Sequence, residues 1–193
     1  MSESFKLNII ENDKDLFASG KDILPLIENL KAPIGIEIGV DAGDTSYYFL
    51  KNKNDLTLIG VDPYVGYKDW NDNNLDQSGR DNVYNVMTNK LKEFGSRWIL
   101  NKMTSDEALG LFIHNEYYDF IFIDGLHTYE QVLKDCRNYY PKIKKGGVFS
   151  GHDYKVISGV NKAVNEFAAE VGAKPIHLPN HDAWYWIKTW SLY

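Results

Sequence analysis

Cysteine, basic charge and long apolar runs are all scarce in this sequence of 193 residues. Cys136 is the single cysteine, which excludes a disulfide within the chain and a zinc site built from several cysteines. No run approaches the roughly 20 apolar residues that a membrane-spanning helix needs. Residues 1–14 also lack the basic start and apolar segment of a secretion signal. We therefore expect a soluble, intracellular protein that resides in the cytoplasm.

The basic residues are too few to balance the acidic ones. The chain has 21 Lys and Arg against 27 Asp and Glu, which gives a formal net charge of -6. Binding to nucleic acid or to an anionic membrane requires a basic face, so we expect neither partner. The one concentrated basic stretch, PKIKKGG at residues 141–147, is typical of the solvated C-terminal end of a helix. The length suits one domain over residues 1–193.

Short apolar runs alternate with segments of helical period along most of the chain. This alternation predicts an α/β fold, in which helices cover both faces of a parallel sheet. Too few residues separate the last two runs for a crossover helix, so we expect these two to form an antiparallel pair. We interpret residues 1–31, which precede the first run, as an N-terminal helical extension. The runs lie at residues 34–40, 56–62, 97–103, 118–125, 146–153, 174–179 and 183–190.

One interval, residues 64–79 with the sequence YVGYKDWNDNNLDQSG, shows neither period. It is polar, and it contains the aromatic residues Tyr67 and Trp70. Long irregular segments inside a compact domain are often binding loops or lids. We therefore predict a lid loop here, and we consider Trp70 and the more distant Trp184 as candidates for stacking on a substrate.

A tight turn rich in glycine and carboxylates follows the first apolar run. The sequence IEIGVDAGDT, residues 36–45, contains Glu37, Gly39, Asp41, Gly43 and Asp44. It lies between the first predicted strand and the first crossover helix, where open α/β sheets bind ligands. We expect Gly39 to let the backbone approach such a ligand closely.

Three interpretations of this turn remain open. A dinucleotide site is favoured by Asp62, which lies about 20 residues after the turn, where a ribose-binding acid belongs. However, the middle glycine of G-x-G-x-x-G is missing, and Asp41 and Asp44 would repel a pyrophosphate. A cationic ligand with a sulfonium and an α-ammonium group fits better, and Asp62 could still accept both ribose hydroxyls. The third interpretation needs no ligand and makes Asp44 a helix N-cap.

A second group of polar residues follows two later strands, in the sequences IDGLH and GHDY. Polar residues at the ends of adjacent parallel strands converge, so Asp124, His152 and Asp153 should meet. Two carboxylates and an imidazole suit a divalent metal, and the imidazole favours manganese, iron or zinc over magnesium. Alternatively, Asp124 caps the following helix and His152 forms a hydrogen bond with a loop.

The order of four motifs resembles that of the class I S-adenosylmethionine-dependent methyltransferases, over roughly residues 32–190. The motifs are E-x-G-x-x-x-G, GVDPY, FIDGLHTYE and GGVFSGHDY, and the small-molecule O-methyltransferase branch is the most similar. The resemblance implies a Rossmann-like sheet of seven strands with an antiparallel last strand, and S-adenosylmethionine as cofactor. It assigns the methionine part to Glu37, Gly39 and Gly43, and the ribose to Asp62. The resemblance assigns the adenine to Ser105 and Asp106, in the sequence MTSDEA after the third predicted strand. Alternatively, Asp106 is a simple N-cap.

The resemblance also implies a chemical role for the second group of residues. Metal-dependent relatives have an aspartate at the position of Asp124 and acidic or amide ligands at the positions of His152 and Asp153. This sequence departs from that oxygen-only set at His152, which leaves open whether a metal such as magnesium or manganese is used. His127 lies where the relatives place a lysine base, so we expect it and Asp124 to be catalytic. The alternative for His127 is an entry residue of the next helix.

The combined expectation is O-methylation of a hydroxyl on a small polar acceptor, with assistance from a divalent metal as an open question. Two alternatives remain: an NAD(P)-dependent oxidoreductase, and a protein that binds S-adenosylmethionine without catalysis. The expected partner is a small-molecule acceptor. Its identity and the oligomeric state stay open, and a homodimer is one of the arrangements considered.

Overall fold

The computed structural model of the protein describes residues 18–68 and 74–189. Within these ranges the helices are α1 (Leu24–Ile27), α2 (Asp44–Asn52), α3 (Gln77–Leu91), α4 (Ser105–Ala108), α5 (Tyr129–Tyr139) and α6 (Ser158–Glu170). The strands are β1 (Ile34–Ile38), β2 (Thr57–Val61), β3 (Tyr67–Lys68), β4 (Asn74–Leu75), β5 (Trp98–Asn101), β6 (Tyr118–Ile123), β7 (Ile143–Gly151), β8 (Ile176–Leu178) and β9 (Ala183–Ile187).

Seven of these strands form one sheet in the order β5-β2-β1-β6-β7-β9-β8. The pairs from β5 to β7 are all parallel, whereas β9 runs antiparallel to both of its neighbours, β7 and β8. Each predicted apolar run overlaps one of these strands, and β7 begins three residues before its run. The predicted fold, a mostly parallel seven-stranded sheet with an antiparallel last strand, is confirmed.

Helices cover both faces of the sheet, and β6 shows how the sequence specifies this arrangement. Its residues Phe120 and Phe122 are buried on the face covered by α1, α2 and α3. Ile121 and Ile123 are buried on the other face, against α5 and α6. Because side chains alternate between the faces of a strand, a strand covered on both sides must be apolar at successive positions. The continuous apolar run FIFI satisfies this requirement.

The basic stretch at residues 141–147 differs from its prediction as a helix end. Tyr140–Lys142 forms a short 3-10 turn, and Ile143 already belongs to β7. The pairing of β6 with β7 shifts register between Tyr118 and Phe120, opposite Gly146, which has a positive φ of 78°. The irregularity buries Ile143 and leaves Lys145 exposed. The prediction was wrong because a lysine pair fits an irregular, solvated strand start as well as it fits a helix end.

The interval predicted as a lid begins and ends in ordered structure. Tyr67–Lys68 pairs with Asn74–Leu75 as an antiparallel ribbon, and α3 begins at Gln77 with Asp76 as its N-cap. Residues 69–73, including Trp70, lie outside the described residues, so the lid remains a prediction. Residues 1–17 of the predicted N-terminal extension also lie outside them. The described remainder contains the single turn α1.

No helix in the described ranges is long and apolar enough to cross a membrane.

Candidate active site

A cavity of about 680 Å³ opens at the carboxyl ends of β1, β2, β5 and β6. A second cavity of about 280 Å³ lies beside it and has His152 and Asp153 in its wall. Ser19 lines both cavities. The structure thus brings most of the predicted site residues to one edge of the sheet. Those that line the larger cavity are Glu37, Gly39, Asp62, Ser105, Asp106, Asp124 and His127.

The first-motif turn adopts its shape through glycine. Gly43 is the N-cap of α2 with a left-handed φ of 76°, and a Cβ there would lie 3.1 Å from side-chain atoms of both Met87 and Leu91. The interpretation of Asp44 as the N-cap was therefore wrong. Asp44 is the first helical residue instead, and its carboxylate pairs with Lys90 at 2.6 Å.

The expected approach of Gly39 to a ligand stays a prediction, and the structure shows a further reason for glycine at this position. Its φ is 85°, and a Cβ on it would lie 2.1 Å from the carbonyl oxygen of Asp124. The same two segments are joined by a hydrogen bond of 2.7 Å from the Asp124 N–H to the Ile38 carbonyl oxygen. The missing side chain therefore allows close packing of backbone against backbone. A contact with a ligand would be additional.

Glu37 is buried at the floor of the cavity and accepts a hydrogen bond from the Ser46 hydroxyl. Burial raises the pKa of Glu37 well above its ordinary value, although the hydrogen bond from Ser46 acts in the opposite direction. The nearby Asp124 and Asp62 raise it further. Glu37 therefore takes up a proton more readily than an exposed glutamate does.

Asp62 is buried beyond the end of β2, and its carboxylate is already fully hydrogen-bonded. One oxygen accepts from the N–H groups of Val40 at 3.1 Å and Asp41 at 3.0 Å. The other accepts from the Tyr64 N–H at 2.9 Å and from Arg80 at 3.2 Å. A carboxylate offers about four lone-pair positions, so two ribose hydroxyls could bind Asp62 only by replacing existing partners.

Arg80 is a site residue that the sequence analysis missed. Its buried guanidinium bridges Asp62 and Asp41, the latter at 2.6 Å, and its Nε has no hydrogen-bond partner within the described part of the chain. Arginines on helices are usually solvated, so no local pattern distinguishes this one. Arg80 is the only one of the four hydrogen-bond donors to Asp62 named above that belongs to a side chain, so it could move away without a change in the backbone.

The end of the cavity beside β5 is formed by α4 and α5. Thr104 is the N-cap of α4 and forms a capping box with Glu107, so the interpretation of Asp106 as N-cap was wrong. The Asp106 carboxylate is exposed and pairs with Lys134 of α5 at 2.7 Å. The Ser105 hydroxyl accepts a hydrogen bond from the side-chain amide of Gln131 at 3.2 Å.

The predicted metal ligands converge. One potential ligand atom from each of Asp124, His152 and Asp153 lies within 4.8 Å of the others. His152 Nδ1 is 3.2 Å from an oxygen of Asp153 and 3.6 Å from an oxygen of Asp124. His127 Nε2 faces the same two oxygens, at 2.9 Å from Asp153 and 3.4 Å from Asp124. Two carboxylates and an imidazole are a donor set that manganese, iron or zinc accepts.

Protonation follows from this geometry. Burial would lower the pKa of His127, but hydrogen bonds and charge from Asp124 and Asp153 outweigh it and raise this pKa to about 10. The pKa of His152 is also raised: burial opposes the shift, and Asp153 and Asp124 cause it. Burial raises the pKa of Asp153, yet the two histidines lower it overall. His127 therefore holds its proton at neutral pH while both carboxylates face it.

Ser19 is the second residue that the sequence analysis missed. Its hydroxyl donates a hydrogen bond of 2.6 Å to the Asp124 carboxylate and lies 2.9 Å from the Thr45 hydroxyl. The bond engages the Asp124 oxygen that does not face the histidines. A serine in a segment without a motif gave no signal of this contact.

Trp184 does not line either cavity and is fully buried in the sheet. Its indole N–H donates to the carbonyl oxygen of His152 at 3.2 Å. The suggestion that it stacks on a substrate was wrong, and it instead supports the loop that carries His152.

Comparisons with known proteins identify the family of the chain. The sequence model of a family described as "Methyltransferase domain" matches residues 36–154, more than half of the chain. An uncharacterized protein, R132 of Acanthamoeba polyphaga mimivirus, is 31% identical over 144 residues. The match covers 72% of this chain, which spans 60% of the length of that relative.

Two solved structures show a similar fold. The O-methyltransferase NovP is 19% identical with a TM-score of 0.67, and the alignment covers 92% of this chain and 80% of NovP. CalS11, a TDP-rhamnose 3'-O-methyltransferase, is 14% identical with a TM-score of 0.63, and the alignment covers 88% of this chain and 76% of CalS11. At this identity the likeness concerns the fold.

Proposed function

The chain belongs to the methyltransferase-domain family, and from that premise we propose that it transfers the methyl group of S-adenosylmethionine to a hydroxyl of a small polar acceptor. The observation that carries the proposal is the position of the Asp124, His152 and Asp153 cluster. Asp124 lines the larger cavity, and the other two line the adjoining one. A group passed from one cavity to the other would cross this cluster.

The larger cavity suits the cofactor. Glu37, Asp41, Asp44, Asp62 and Asp124 all line it. Arg80 pairs with Asp41 and Asp62, and Lys90 pairs with Asp44. A sulfonium with an α-ammonium group would complement Glu37 and Asp124, which have no lysine or arginine partner among the described residues. The pyrophosphate of a dinucleotide would meet the same carboxylates, which argues against the NAD(P)-dependent alternative. Glu37 and Gly39 would hold the methionine part, with Gly43 shaping the helix start behind them.

The ribose and adenine would extend along the remaining strand ends. Asp62 follows β2, and Ser105 and Asp106 follow β5, so these residues lie in the order in which a bound nucleoside would meet them. Arg80 would have to release Asp62 when the ribose binds.

The smaller cavity would hold the acceptor. Its wall contains His152, Asp153, Asn180, His181 and Asp182, which favours a polar molecule. Methyl transfer requires an in-line approach of the hydroxyl oxygen to the methyl carbon, so most of the rate enhancement would come from positioning.

Asp124, His152 and Asp153 would hold a divalent cation, which when bound would lower the pKa of an acceptor hydroxyl. His127 would accept the hydroxyl proton. His127 can do so only after it loses the proton that Asp124 and Asp153 stabilise on it, and a cation held by these carboxylates would weaken that stabilisation. Ser19 would keep the Asp124 carboxylate oriented.

The test is turnover of S-adenosylmethionine with a panel of small hydroxylated acceptors, followed by identification of the methylated atom. We expect S-adenosylhomocysteine as product and the methyl on oxygen. Asp124→Asn should abolish turnover, while calorimetry should still detect binding of S-adenosylhomocysteine, which has no sulfonium charge for Asp124 to complement. His127→Ala should slow turnover by roughly 10²- to 10⁴-fold. Glu130→Gln, an exposed change on α5, is the matched control. Binding without turnover across the panel would favour the non-catalytic alternative.

The metal is tested separately. Loss of turnover with a chelator and recovery with manganese would support it. Chelator-insensitive turnover would contradict the metal and leave methyl transfer standing.

A further inference from the structure

Asp135 is a buried carboxylate at the end of the larger cavity beside β5. The residue is 1% exposed and lies in the second turn of α5, yet it contributes to the cavity wall. No lysine, arginine or histidine pairs with it among residues 18–68 and 74–189. The adjacent Lys134 pairs with Asp106 instead. A buried carboxylate without a cationic partner is unfavourable unless a donor satisfies it.

The neighbours of Asp135 leave this end of the cavity rich in hydrogen-bond acceptors. The side-chain amide nitrogen of Gln131 donates to both Asp135, at 3.0 Å, and the Ser105 hydroxyl, at 3.2 Å. This contact fixes the amide orientation, because its oxygen would repel the carboxylate. The Gln131 nitrogen is thus engaged, and its carbonyl oxygen is left to accept. Tyr139 holds the same corner by donating to the Ser105 carbonyl oxygen at 2.7 Å.

Burial raises the pKa of Asp135 to about 6, even though hydrogen bonds from Ser105 and Gln131 act to lower it. A ligand in the cavity that donates a further hydrogen bond to the Asp135 carboxylate would stabilise its ionised form. Adenine and hypoxanthine are the two common purines with hydrogen at position 2. The 6-amino group of adenine is the hydrogen-bond donor that distinguishes it from hypoxanthine. Hypoxanthine presents a 6-oxo acceptor at the same place.

We propose that Asp135, together with Gln131, reads the 6-amino group of the cofactor's adenine and makes the site selective for adenosyl over inosyl cofactors. This inference rests on the proposed function, since it assumes that the larger cavity holds S-adenosylmethionine. It adds a base-reading residue on α5 to the strand-end residues Ser105 and Asp106. Asp106 is exposed and paired with Lys134, so it is less able to discriminate between bases than the buried Asp135.

The experiment compares the dissociation constants of S-adenosylhomocysteine and S-inosylhomocysteine by calorimetry. Wild-type protein should prefer the adenosyl compound by roughly tenfold to a hundredfold, the effect of one hydrogen bond to a charged group. Asp135→Asn keeps the shape and offers an N–H to the 6-oxo group, so the preference should fall toward one or reverse. Glu130→Gln on the same helix should keep the wild-type preference.

Three results would overturn the inference, and they are distinguishable. A wild-type preference near one contradicts base reading without requiring any variant to fold. Equal weakening of both ligands in Asp135→Asn would show that the residue only supports the contact between α4 and α5. Failure of wild-type protein to bind either compound would refute the proposed function as well.

Discussion

Replacement of Asp135 by asparagine should stabilise the protein at neutral pH. Asp135 has a pKa of about 6 in the folded protein, against 3.8 for an exposed aspartate. A carboxyl whose pKa is raised by folding loses stability when it ionises, so the penalty is absent below about pH 4 and complete above about pH 6. The difference of about 2 in pKa corresponds to about 3 kcal/mol at neutral pH.

Asparagine removes this penalty because it cannot ionise, and its Oδ1 can still accept the hydrogen bond from Gln131. The expected free energy of unfolding of Asp135→Asn therefore exceeds that of wild type by up to about 3 kcal/mol near pH 7. The excess should shrink steadily as the pH falls toward about 4. An exposed carboxyl has little such effect, so Glu130→Gln should follow wild type throughout.

Urea unfolding of the three proteins at several pH values between about 4 and about 8 measures these differences. Other carboxyls titrate over the same range, but they do so equally in each protein and cancel in the comparison. An excess stability that does not change with pH would refute the reasoning, because it would show that ionisation of Asp135 does not destabilise the folded protein. If Asp135→Asn is both more stable and less selective for adenosyl over inosyl ligands, then Asp135 lowers the stability of the protein in exchange for recognition of the base.

Further predictions concern the backbone, the cofactor and Asp124. Gly39→Ala and Gly146→Ala both place a Cβ at positive φ, but Gly146 has nothing within 4 Å and Gly39 meets a carbonyl oxygen. Gly146→Ala should lower the free energy of unfolding by about 1 kcal/mol, and Gly39→Ala should lower it by at least about 2 kcal/mol more. Thermal unfolding measures both, and equal losses would contradict the packing role of Gly39. Ser19→Ala should slow turnover roughly tenfold to a hundredfold with unchanged S-adenosylhomocysteine affinity, because Asp124 loses a donor; unchanged turnover would exclude this role. Asp62→Ala should weaken the binding of S-adenosylhomocysteine by about 1.5 to 3 kcal/mol per lost hydrogen bond. A folded variant that binds with wild-type affinity would show that Asp62 does not contact the cofactor.

The sequence alone determined the elements of the sheet and the edge at which the site forms. Apolar runs such as FIFI specify strands because a strand covered on both faces must be apolar at successive positions. The short gap before AWYWI specified the antiparallel pair, because a parallel connection needs a crossover. The convergence of Asp124 with His152 and Asp153 was predictable for a similar reason. Residues that follow adjacent parallel strands must emerge at the same edge.

Only the tertiary structure decided which side chains meet within that edge. Ser19 and Asp124 are 105 positions apart, and Arg80 reaches Asp62 from a helix on which the adjacent charged residue, Asp81, is exposed. Asp135 lies on a face of α5 that the helical period alone does not distinguish from solvated positions. Periodicity reports how each element meets water or core, and it carries no information on the distance between two side chains from different elements. Those distances are set by the packing of the helices on the sheet, which depends on the whole chain at once.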